Sequence, residues 1–361
     1  MLRLEEPDHP DNLSLFQFNW RHSQPVVLAG VRLSSKLWTP DQFAALPDHA
    51  FDPANPAETS AVTQSQTLKK FFDGFDEVKR RPLGDNGEPL NLKLRENWPV
   101  AEDHFLELLP NQLKDILKNL PLKEYTDREG VLNLASRLPD CFVRLDLGPR
   151  LWGGYVKSTY PMAYNLSDSL HVCVHTGRDG RGEEVLVKQL ESAQCDSSSV
   201  EQARSGKGGK LAALWQVFHP DHADTVKAFI LKNSKADTGK GGKQQAAGSK
   251  DPLLEPTMYL KDRHLEKLAE EENIRPAVFA QLEGEAVALP AGAPFQVKLL
   301  QASLMVMTEF VSPEHIGHAI KLSVASEAAV LPNDDRLQVK NLVFHACKDA
   351  LSVTYKPENK K

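Results

Sequence analysis

The stretch Gly284-Glu285-Ala286-Val287-Ala288-Leu289-Pro290-Ala291-Gly292-Ala293-Pro294-Phe295-Gln296-Val297 reads as a strand, a tight turn and a second strand. Val287 and Leu289 form the apolar half of a period-two pattern, Pro290 and Gly292 interrupt it, and Phe295, Val297 and Leu299 resume it. Similar short strands are predicted at 26–31, 171–175, 214–218, 277–282, 286–289, 295–300 and 304–310. Amphipathic spacing predicts helices at 111–120, 221–232, 264–272 and 336–350; in the first, Leu113, Ile116, Leu117 and Leu120 fall on one face. Many short strands with helices outside them predict a mainly β domain with peripheral helices.

At 361 residues the length would allow two or three domains, but large β-rich folds commonly run this long as one unit, and we read 1–361 as one. Three segments are predicted to be flexible: 52–67, 203–210 and 233–251, rich in Ala, Pro, Ser, Gly and Lys. The last contains Lys-Gly-Gly-Lys, but no Gly-x-x-x-x-Gly-Lys-Ser/Thr pattern after a strand, so it reads as a solvated linker. The net charge of −6 supplies no global attraction to nucleic acid or an anionic membrane, and there is no reader motif with interleaved aromatics. No signal peptide is recognisable and no apolar run approaches the roughly 20 residues of a membrane span, which predicts a soluble protein. Cys141, Cys173, Cys195 and Cys347 lack paired zinc spacing and are expected to be reduced thiols. Neither a Gly-x-Ser-x-Gly elbow nor a Gly-x-Gly-x-x-Gly turn is present.

Further blocks accompany the strand-turn-strand unit: Gln24-Pro25-Val26-Val27-Leu28-Ala29-Gly30-Val31, Leu37-Trp38-Thr39-Pro40, Phe72-Asp73-Gly74-Phe75, Asn119-Leu120-Pro121-Leu122-Lys123-Glu124-Tyr125 and Leu132-Asn133-Leu134-Ala135-Ser136-Arg137-Leu138-Pro139. Asp146-Leu147-Gly148-Pro149, Phe310-Val311-Ser312-Pro313-Glu314-His315 and Leu337-Gln338-Val339-Lys340-Asn341 complete the set. In this order they resemble the JmjC (jumonji C) domain, most closely that of the lysine demethylase 3, or jumonji domain 1, subfamily. The resemblance implies a double-stranded β-helix, or cupin-like barrel, and a nuclear, chromatin-regulating and transcription-associated setting. It also implies descent from dioxygenases that use Fe(II) and 2-oxoglutarate to demethylate mono- and dimethylated lysine 9 of histone H3. Members of that subfamily carry a zinc-finger region upstream of this domain, so the chain is read as a short paralogue, a fragment or an incomplete gene model.

The same resemblance aligns the iron-binding positions with Ala163, Asn165 and Phe295. Ala163 and Phe295 offer a metal no lone pair, and Asn165 offers a neutral amide where the family has a carboxylate. Since even outer-shell changes cost about 10- to 100-fold in metal affinity or activity, three altered ligands imply loss of iron. The chain is also shorter than the family across 155–164, a region that helps shape the oxoacid pocket there, so no cofactor is expected. Asp168 aligns with a downstream family residue and reads as a turn or strand-end residue, and His315 as a helix-start residue.

Two alternatives stay open. His171, Cys173 and His175 alternate along a predicted strand and could present imidazoles and a thiolate to another metal from one face, although residues on a single strand are nearly collinear. For function, the first reading is a catalytically inactive JmjC-like domain, a pseudoenzyme that engages a histone tail or chromatin-associated proteins. The second is a working demethylase of the family kind.

Overall fold

Residues 1–46, 55–56, 68–84, 87–94, 98, 102–177, 182–206, 209–237, 251–256, 258–329 and 337–354 are described by a computed structural model of the chain. Among the described residues lie twelve strands: β1 (Leu2–Leu4), β2 (Val26–Leu28), β3 (Asn55–Pro56), β4 (Leu92–Lys93), β5 (Arg150–Gly154), β6 (Thr159–Ala163), β7 (Asp168–Thr176), β8 (Leu211–Val217), β9 (Ala277–Leu282), β10 (Ala286–Leu289), β11 (Phe295–Leu299) and β12 (Ser303–Phe310). Eight of them form one sheet in the order β1-β2-β10-β7-β12-β5-β4-β3, and four form a second in the order β6-β11-β8-β9. From β5 onward the chain passes back and forth between the sheets, with only β8 and β9 staying in the same one.

The period-two patterns explain how the sheets face each other. Val27, Trp152, Cys173, Val287, Met305 and Met307 from the large sheet meet Tyr160, Ala213, Trp215, Phe279, Val297 and Leu299 from the small one. Residues of the opposite parity in the large sheet, Leu170, Val172, Leu304 and Val306, pack outward against Phe16, Trp20, Phe43, Phe71 and Phe75 in the N-terminal part of the chain. The small sheet is covered by Leu186 and Leu190 of helix Glu183–Ser192 against Leu214 and Ala280. Burying each such side chain contributes on the order of 1.5–3 kcal/mol, so the large sheet is stabilised from both faces.

β9 and β10 keep the predicted limits, β7 and β12 extend beyond theirs, and β8 starts three residues early and ends one residue short. β2 ends at Leu28, three residues early, because Gly30 adopts φ +72 and turns the chain out of the sheet. Helical segments are more extensive than strands, so the architecture is mixed sheets and helices, not mainly β. Helix Ser197–Ser205 runs into the predicted 203–210 loop: the Asp196 side chain accepts from Ser199 N at 3.2 Å at its start, and Gly206 at φ +61 ends it. Helix Ala223–Asp237 likewise includes 233–237, the start of the predicted linker; the rest up to 250, with its Lys-Gly-Gly-Lys, lies outside the described residues. Most of 52–67 lies outside them too, except Asn55–Pro56, which pairs with β4. The C-terminal helix is Val339–Thr354, starting three residues after the predicted point. Among the described residues no helix is long and apolar enough to cross a membrane.

Candidate functional site

Antiparallel pairing of β6 with β11 places Phe295 directly opposite Ala163, while on its other side Phe295 is registered with Val217 of β8. Asn165 lies two residues beyond β6, and its carbonyl accepts from Gly292 N at 2.9 Å, which holds the β10–β11 turn against this end of the small sheet. The three positions therefore meet, and all line a cavity of about 660 Å³ together with Trp152, Tyr160, His171, Arg150, Asp146 and Glu309.

A hydrogen-bonded chain crosses the cavity floor. Trp152 Nε1 donates to His171 Nδ1 at 3.2 Å. An indole nitrogen can only donate, so Nδ1 is the acceptor and Nε2 carries the proton. Nε2 then donates to Ser169 Oγ at 3.1 Å, and Asn165 Nδ2 donates to the same oxygen at 2.8 Å. Burial pushes the His171 pKa down to about 3, so the ring is neutral at physiological pH. Phe295 closes the chain from above, with ring centroids 5.6 Å from His171 and 5.8 Å from Trp215. These are the offset and edge-on contacts that aromatic rings favour.

At the rim Arg150 is held by two carboxylates: Nη2 lies 3.0 Å from Asp146 Oδ2, and Nη1 donates to Glu309 Oε2 at 3.1 Å. Ser167 Oγ donates to the other Glu309 oxygen at 2.7 Å. Burial raises the Glu309 pKa, opposed by the Arg150 charge and the Ser167 hydrogen bond.

No protein-family model matches the chain. Over 373 residues, 98% of this chain, it is 34% identical to Lysine-specific demethylase 3A of Homo sapiens and covers 27% of that protein. Over 371 residues it is 33% identical to Lysine-specific demethylase 3 of Drosophila melanogaster, covering 42% of it. It is 32% identical to the Probable JmjC domain-containing histone demethylation protein 2C of Homo sapiens over 369 residues, 14% of that protein. The chain belongs to the JmjC domains of the lysine demethylase 3 subfamily. It spans about a quarter of the length of the demethylase 3A relatives.

The family uses Fe(II) and 2-oxoglutarate, and the cavity of this JmjC domain does not fit the metal. A two-histidine, one-carboxylate site needs three donors on one side. Here a methyl group, a phenyl ring and an uncharged amide converge instead, and both nitrogens of the nearby His171 are taken. Among the described residues no group of three His, Cys, Asp or Glu side chains could hold a metal ion.

The alternation that put His171, Cys173 and His175 on one face of this JmjC domain is broken by a bulge. Met305 is registered with Cys173 but Leu304 with His175, which leaves Val174 as an extra residue. Cys173 points between the sheets, its Sγ 3.3 Å from Thr176 Oγ1, and burial pushes its thiol up to about 12. His175 is turned to the other face, where its ring lies 5.9 Å from Phe75 and its Nε2 is 3.1 Å from Asp76 Oδ1. Of the three, only His171 reaches the cavity.

Asp168 is the first residue of β7 and is buried outside the cavity lining. Its carboxylate accepts from Ala291 N at 2.9 Å, Ser312 N at 2.8 Å and His315 Nδ1 at 2.6 Å. His315 immediately precedes helix Ile316–Ala329, and its Nε2 lies 2.8 Å from the Trp20 carbonyl, so both ring nitrogens face acceptors and the imidazolium form is required. Burial alone would lower the His315 pKa; the Asp168 charge and hydrogen bond, aided by the Trp20 carbonyl, outweigh it and hold it above the ordinary value.

Sequence reading did not single out Trp152, Ser169, Arg150 or Glu309. Arg150 and Glu309 are 159 residues apart, and only the β5–β12 pairing brings them together. The Ser169–His171 spacing on one strand face was the one local signal available.

Proposed function

We propose that this JmjC domain keeps the family's barrel but has lost iron-dependent oxidation, and acts as a non-catalytic interaction module in chromatin. For the barrel, the support is the alternation of β5 to β12 between the orders β10-β7-β12-β5 and β6-β11-β8-β9, which is how two four-stranded layers of a double-stranded β-helix interleave. For the loss of oxidation, the carrying observation is the pair Phe295 and Ala163 facing each other inside the cavity, with Asn165 beside them. In this reading all three iron-ligand positions have changed, and the shortened 155–164 segment has altered the region that shapes the family's oxoacid pocket. One relative is named for histone demethylation and others as lysine-specific demethylases, which makes a histone tail or a chromatin-associated protein the fitting partner and the nucleus the fitting location.

A second reading, an active demethylase of mono- and dimethylated histone H3 lysine 9, is favoured by identity to named demethylases over nearly the whole chain. Incubation with methylated histone H3 peptide, Fe(II), ascorbate and 2-oxoglutarate separates the two. The non-catalytic reading expects no formaldehyde and no mass loss from the peptide. Turnover that a chelator abolishes would establish the second reading instead.

A further inference from the structure

One wall of the cavity is made by Leu253, Leu254 and Pro256, in a stretch, 251–256, that is neither helix nor strand. This stretch runs along β6, the outermost strand of the small sheet among the described residues. Met162 N donates to the Met258 carbonyl at 3.0 Å, and Tyr164 N to the Leu253 carbonyl at 3.3 Å. These bonds satisfy amides that an edge strand otherwise turns towards solvent.

The two ends of the stretch are held differently. At the Leu260 end the fully buried Gln296 side chain accepts from Leu260 N and donates to the Leu260 carbonyl, each at 2.8 Å. At the other end Asp251 Oδ2 accepts from the Tyr164 hydroxyl at 2.7 Å and lies 2.6 Å from Lys227 Nζ, on helix Ala223–Asp237. Asp251 Oδ1 accepts from Leu253 N at 3.0 Å. The Asp251 and Lys227 side chains keep 12% and 18% of their exposure, so water competes for this ion pair as it does not for Gln296. Between the ends Leu253 is buried, Leu254, Pro256 and Met258 are half-buried, and Glu255 is exposed. A segment with so few buried contacts opens locally at less cost than the whole domain unfolds.

We infer that 251–256 is a latched strap that swings as a unit about Leu260. Asp251, Lys227 and Tyr164 are its latch, and its release removes the Leu253–Leu254–Pro256 wall and bares the outer edge of β6. Ala163, Asn165 and Phe295 are half-buried with the strap latched, so the cavity is already open at its mouth. The strap sets how far it extends along β6, whether or not the domain oxidises what enters.

Hydrogen exchange of the full chain, resolved to single amides, is the test. In wild type the amides of Met162, Tyr164 and Leu253 are expected to be protected at least about tenfold less than that of Leu260. Asp251→Asn keeps an acceptor for Tyr164 but removes the counter-charge of Lys227. It is expected to lower protection of those three amides by a further factor of about ten and to leave Leu260 within about twofold. Lys227→Met should reproduce this pattern, and the double variant should add nothing to the larger single effect, because both substitutions break one latch. Equal protection of all four amides in wild type overturns the inference. So does a folded Asp251→Asn variant in which the three amides are unchanged, or in which Leu260 loses protection in step with them, the mark of a general loss of stability. Should Asp251→Asn fail to fold, judged by circular dichroism, Lys227→Met and the wild-type comparison decide in the same terms.

Discussion

Phe295 of β11 and Ala163 of β6 are direct cross-strand partners. Residues so paired have Cα atoms about 4.5–5.5 Å apart, close enough for imidazoles placed at both positions to share one ion at about 2.0–2.1 Å. With Asn165 lining the same cavity, Ala163→His, Asn165→Asp and Phe295→His together are expected to give a protein that retains one equivalent of a divalent metal. Elemental analysis after dialysis measures this, with wild type expected to retain none. A folded triple variant without metal would mean that the shortened 155–164 segment has displaced the end of β6.

The Phe295 ring contributes to stability through His171 and Trp215. It is only half-buried, so Phe295→Ala is expected to cost roughly 2 kcal/mol, below the 3–5 kcal/mol of a fully enclosed phenylalanine. Urea unfolding followed by circular dichroism gives the value, and no loss would mean that the ring is not packed as described.

His171 makes the fold sensitive to acid. Its folded pKa of about 3 lies below the ordinary 6.5, so between these values the unfolded chain binds the extra proton. Stability from this group is complete above pH 6.5 and is lost progressively as pH falls towards 3. His171→Gln should therefore lose less stability than wild type between pH 6.5 and 4.5, whatever its cost at neutral pH. Parallel pH curves for the two proteins would contradict this.

His315 acts in the opposite direction. Its folded pKa is raised, so the stability it contributes is fully present below pH 6.5 and declines as pH rises through the folded value. The penalty of His315→Gln should shrink at alkaline pH. Asp168→Asn leaves the buried imidazolium without its counter-charge and is expected to cost about 3–5 kcal/mol near pH 6. Chemical denaturation of both variants across pH 6–9 tests the pair.

Local periodicity was sufficient for β9 and β10, whose limits the sequence pattern marks with Gly284 and Pro290. The helices were underestimated because several carry no clean apolar stripe. Helix Asn12–Trp20 buries Phe16 and Trp20 yet leaves Leu15 and Phe18 exposed, so its apolar residues encircle it. In the cavity, Ala163, Asn165 and Phe295 were reached through resemblance to a family; the spacing of these residues alone would not have joined them. The bulge at Val174 and the Arg150–Glu309 contact depend on how distant strands are registered, which no local pattern encodes. One extra residue in β7 was enough to send His175 to the wrong side for a shared metal.

The position of Phe295 also bears on the history of the chain. Once its ring had become a packing partner of His171 and Trp215, exchanging it for histidine would put a polar ring into contacts shaped for phenyl, while Ala163 opposite still offered no second ligand. Each single reversion would lose stability and gain no metal. Under the proposed non-catalytic reading the site behaves as a ratchet: drift could carry it away from iron one residue at a time, but a return would need several changes at once.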